Sequence, residues 1–87
     1  LINSSFSLQL DLINQQISLS QQRINQYQSE IDTLEDKLGR EMELNNEGKA
    51  NNIDRINAEI AAKEDAKAKE QKLEAEALEK RKQIQKR

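Results

Sequence analysis

Leu10, Ile17, Ile24, Ile31 and Leu38 recur every seven residues, and Phe6, Ile13, Ser20, Tyr27 and Leu34 hold the intervening positions at the same period. On an α-helix this alternation of threes and fours brings all ten side chains onto one narrow stripe, the a/d seam of a coiled coil. Only Ser20 is polar. A half-buried strand would alternate with period two, and an ordinary amphipathic helix would show a broader stripe. So regular a seam predicts that residues 6–38 form a helix that packs lengthwise against another helix.

Composition leaves few other folds. Proline is absent, glycine occurs only at Gly39 and Gly48, and valine is missing. Good helix formers dominate, and turn residues are scarce. The apolar share is 34%, against about 45–50% in a typical globular domain. With Phe6 and Tyr27 the only aromatics, any core must be a thin one of Leu, Ile and Ala. An all-α chain is expected.

The seam stops after Leu38, where the next positions in phase are Glu41 and Asn45. The run Asn45-Asn46-Glu47-Gly48 and the pair Asn51-Asn52 follow. Asn and Gly tolerate the left-handed backbone that ends helices, and Asn51 or Asn52 could cap a new one with Asp54 in its first turn. Three segments are therefore expected: a first helix over 1–44, a turn over 45–52, and a charged second helix over 53–87. The alternative is one unbroken helix, roughly 130 Å long, in a multi-chain coiled coil.

The second segment has its own apolar set: Ile53, Ile56, Ile60, Ala62, Ala66, Leu73, Ala77 and Ile84. It opens with three-four spacing and then drifts to steps of eleven, which suits straighter packing. Folded back at Asn46-Glu47, residue i meets residue 93 − i or 94 − i. Leu38 then meets Ile56, Leu34 meets Ile60, Ile31 meets Ala62, and Tyr27 meets Ala66. Farther along, Ser20 meets Leu73, Ile17 meets Ala77, and Leu10 meets Ile84. Large residues face small ones in several layers, which permits close approach. Ile24 and Ile13 spoil the match, since they face Lys69-Glu70 and Lys80-Arg81. Long basic side chains whose stems lie over the isoleucines and whose charges stay in water would resolve this. The register and the turn residues agree independently, so an antiparallel two-helix coiled-coil hairpin is the favoured fold.

A lone hairpin buries only one stripe per helix, which barely offsets the entropy of ordering the chain. Further apolar surface should therefore be covered by something else. Leu1, Leu8, Leu12 and Leu19 lie off the seam, in a stretch where residues 1–29 hold only two charges, Asp11 and Arg23, and residues 30–87 hold 28. A helix apolar on two faces is normally buried among several others. Residues 1–19 are therefore expected to be an oligomer or partner contact zone, and the partner to be a second copy, another helical protein, or both.

The residues of a chemical site are missing. Without histidine or cysteine the chain lacks the usual general base, thiol nucleophile and soft metal ligands. Glu41, Glu43 and Glu47 near the turn lack the pattern of a calcium loop. No phosphate-binding loop or nucleophile elbow occurs. The carboxylates of the second segment instead stand four residues before lysines, as in Glu59/Lys63, Asp65/Lys69 and Glu76/Lys80, an order that supports an exposed helix. A net charge of −2 gives no reason to expect nucleic acid, and the basic residues Lys80-Arg81-Lys82 and Lys86-Arg87 suit a helix C-terminus. No apolar run approaches the roughly 20 residues of a membrane span. A non-enzymatic structural subunit without cofactor or small-molecule substrate is expected, acting by helix packing within a larger particle such as a virion, filament or secretion apparatus. An adaptor or chaperone-like module that binds a partner helix is the alternative.

Overall fold

The computed structural model describes residues 2–45 and 52–86. Helix α1 spans Ile2–Asn45 and helix α2 spans Ile53–Gln85. They lie side by side in a rod of 69 × 14 × 14 Å. A continuous helix of this length would be about twice as long, so the chain is a hairpin. Most of the turn expected at 45–52, together with Leu1 and Arg87, falls outside the described residues.

The helices run antiparallel. Near the turn, Asn52 Nδ2 donates to Glu41 Oε1 at 3.4 Å, and toward the open end Arg81 Nη1 donates to Asn14 Oδ1 at 3.0 Å. Between them, Lys63 meets Glu30 and Arg23 meets Glu70. The residue numbers in these pairs add to 93 or 95, which centres the register on 94, one of the two sums expected. The layers expected at 93 are corrected, since Ile31, Tyr27 and Ser20 face Lys63, Lys67 and Glu74 rather than Ala62, Ala66 and Leu73. Asn52 stands at the N-cap of α2, and its carbonyl accepts from Ile56 N at 2.9 Å. Its side chain makes no capping bond; it is drawn to Glu41 instead. Asp54 sits in the first turn of α2 and Lys82 in the last, each favourable toward the helix dipole.

Every seam position of α1 from Phe6 through Leu38, and Glu41 after it, is buried or half-buried. Ile17, Ile31 and Leu34 are buried, joined from α2 by Ile56 and Ala77. Ser20 is as deeply buried as any of them; its small side chain lets the helices approach where a leucine would hold them apart.

The buried side of α2 departs from the expected apolar set. It follows strict heptads through Ile56, Ile60, Lys63, Lys67, Glu70, Glu74, Ala77, Arg81 and Ile84, all buried or half-buried. Ala62 is exposed, Ala66 is half-buried beside the seam, and Leu73 is 45% exposed. The eleven-residue step therefore does not describe the packing. Two helices that share a supercoil must keep one period, and α1 imposes seven. Leu73 falls one position short of the seam, and Glu74 takes its place. The two stripes are also out of phase. Carried forward, the heptad of α1 would reach Glu59, whereas α2 buries Ile60. One residue is about 100° around a helix, so an unbroken helix would not present both stripes on one face.

Candidate interaction surface

The hairpin is lined by two kinds of side chain, and α2 supplies most of the charged ones. Lys63, Lys67, Glu70, Glu74 and Arg81 stand opposite Ile31, Tyr27, Ile24, Ser20 and Ile13 in the observed register. Their stems lie along the apolar seam of α1, and the charged ends of Lys63, Lys67, Glu70 and Arg81 reach partners on its flanks. Arg23 Nη1 donates to Glu70 Oε1 at 3.4 Å, and Lys67 Nζ donates to Gln28 Oε1. Gln28 is held in turn by its Nε2, which donates to Asp32 Oδ1 at 2.8 Å. Lys63 Nζ lies 2.9 Å from Glu30 Oε2 and 5.9 Å from the centre of the Tyr27 ring, within cation–π range. The Lys63 ammonium approaches Glu30 Oε2 as an ion pair rather than as a directed hydrogen bond, and no other donor reaches that buried oxygen.

These contacts redirect two charges that composition alone assigned elsewhere. Lys63 reaches across to Glu30 on α1 rather than serving only its own helix through Glu59. Arg81, expected in a basic tail with its stem over Ile13 and its charge in water, is half-buried and bonded to Asn14. Of the three same-helix pairs anticipated, Asp65 and Lys69 meet at 3.0 Å, both well exposed. The signal for the charged seam was present in the sequence: residues 56, 63, 70, 77 and 84 share one heptad phase, with isoleucine or alanine at three of the five.

The outer surface of α1 carries the other candidate feature. Leu8, Leu12 and Leu19 are 61%, 57% and 49% exposed. With Leu10 at heptad position a, they occupy positions f, c and c, on the side of α1 turned away from α2. Leu1 lies outside the described residues. The remaining seam residues read from sequence, Leu10, Ile13, Ile24, Tyr27, Leu38, Ile60 and Ile84, are half-buried between the helices. The two apolar stripes of α1 therefore have different fates: the hairpin covers one and leaves the other open to solvent.

Scattered exposed leucines are ordinary, but the setting of these three is not. Asp11 is the only charged residue between Ser5 and Gln22, and Ser, Asn and Gln surround the leucines. The shallow grooves between the helices are open to solvent and lie elsewhere, one beside Ser29, Leu34 and Lys63 and one near Leu44 and Arg55. Among the described residues, no cluster of three or more acidic side chains is arranged to hold a metal ion. No described helix is long and apolar enough to cross a membrane. Comparison with known proteins finds no matching family model, no matching curated protein and no matching solved structure.

Proposed function

We propose that this chain is a non-enzymatic assembly element that works by helix packing, with its N-terminal outer face as the contact surface inside a larger particle. The observation that carries this reading is the open stripe of Leu8, Leu12 and Leu19 on an almost uncharged stretch of α1. The hairpin supplies a stiff rod, and the stripe supplies adhesion at one end of it.

Energetics favour many weak contacts over one strong contact. Covering the exposed half of three leucines contributes roughly 1 kcal/mol apiece. Association itself costs about 4–15 kcal/mol. A single such face therefore binds weakly, and durable assembly in a virion, filament or secretion apparatus needs further contacts beside it. A rod with one adhesive end suits that use better than the tight capture of one client helix.

Sedimentation velocity over a wide concentration range tests the reading. The wild-type chain should form species larger than one chain as concentration rises. Leu12→Glu/Leu19→Glu should lose them while keeping its helical circular dichroism. Equal assembly by the variant would remove the N-terminal face from the proposal.

A further inference from the structure

We infer that the outer face of α1 docks on the same face of a second copy, antiparallel, with Leu8 of one copy against Leu19 of the other. This rests on the proposed role of that face as a contact surface, and adds the partner and the register.

Charge selects the partner. A strongly charged partner surface would lose its hydration against residues 5–22 and find only Asp11 with which to form a pair. A matching surface must itself be uncharged and mixed from leucine and short polar groups. In this chain, the outer face of α1 meets that requirement, and the described part of α2, with charges throughout Asp54–Lys86, does not.

Charge also selects the register. The stripe runs Leu8, Leu12, Gln15 and Leu19 at alternating intervals of four, three and four, so it forms a second seam able to pair about a twofold axis. Antiparallel seams set f positions against c positions, and two registers of that kind bring leucine onto leucine. In the first, Leu8 faces Leu12 of the second copy. That arrangement sets the two Asp11 carboxylates on the same flank about 3 Å apart along the axis, a like-charge clash. In the second, Leu8 faces Leu19 and Leu12 faces Gln15. The Asp11 groups then separate by about 8 Å along the axis, and each stands nearest to Ser18 of the other copy. The Gln15 amide has a stem long enough to cover Leu12 while its end stays in water.

The native chain contains no cysteine, so single substitutions report on the register directly. Leu8→Cys protein is mixed with Leu19→Cys protein under mild oxidation, and each variant is oxidised alone as a control. In the inferred register the mixture should give at least about tenfold more covalent dimer than either control, because like positions lie roughly 16 Å apart along the axis. Adding Leu12→Glu to both chains should abolish the excess. Equal yields in mixture and controls, with sedimentation still showing assembly that Leu12→Glu/Leu19→Glu destroys, would overturn the register and leave the contact surface standing. A chain that stays single up to millimolar concentration would overturn the second copy as partner. Assembly that survives Leu12→Glu/Leu19→Glu would overturn both this inference and the surface on which it rests.

Discussion

Arg23 of α1 reaches across the hairpin to Glu70 of α2, Nη1 to Oε1 at 3.4 Å, with the arginine side chain 56% exposed and the glutamate side chain only 10% exposed. The two partners are therefore unequal. The guanidinium keeps much of its water and gives up little, whereas the carboxylate is set in the seam opposite Ile24 and depends on its neighbour. Substituting one partner should have a different effect from substituting the other. Arg23→Ala should destabilise the hairpin by about 1 kcal/mol, since it strips a buried acceptor of its donor. Glu70→Leu should be neutral or stabilising by roughly 1 kcal/mol, because an apolar side chain then covers Ile24. Urea unfolding followed by circular dichroism checks both signs, and a large loss of stability in Glu70→Leu would contradict the assignment.

Ile17 and Ala77 are both buried and share a layer in the observed register. Ile17→Ala should cost about 2 kcal/mol, at the low end for such changes because a two-helix layer can partly collapse. Ala77→Leu should cost roughly 1–3 kcal/mol through overpacking. The exchange Ile17→Ala/Ala77→Ile should recover part of the loss. In a separate measurement, Ile17→Cys/Ala77→Cys should close a disulfide within one chain, at a rate that does not change with protein concentration. Products that form only between chains would contradict the hairpin.

Leu73 and Leu34 differ in burial, although both looked like core residues in the sequence. Leu34 is buried and Leu73 is 45% exposed. Leu34→Ala should lower stability by about 2 kcal/mol or more, whereas Leu73→Ala should stay within about 0.5 kcal/mol of wild type. Thermal melts at low protein concentration separate the two, and equal losses would return Leu73 to the seam.

Gly39 lies in the last third of α1, and a Cβ built there meets nothing within 4 Å. Its backbone is in the ordinary right-handed region, so the glycine serves no special conformation. Gly39→Ala should therefore raise stability by about 1 kcal/mol, seen as a higher melting temperature with unchanged sedimentation.

The sequence alone determined the seam of α1, and the register of the hairpin to within one residue. Large apolar side chains at strict seven-residue spacing have only one helical face to occupy, and even Ser20 was placed correctly because the period, not its polarity, located it. What tertiary structure decided was the buried side of α2. Hydrophobicity assigns Lys63, Lys67, Glu70, Glu74 and Arg81 to solvent and Leu73 to the core, because it scores each side chain as one unit. In the hairpin these chains act as two units, with stems packed on α1 and charges carried to its flanks, and the period of the better helix overrode the composition of the poorer one. The open leucine stripe was equally visible in the sequence. Only the packed structure established that α2 leaves Leu8, Leu12 and Leu19 uncovered, since a helix can turn just one of its two apolar faces toward a single partner.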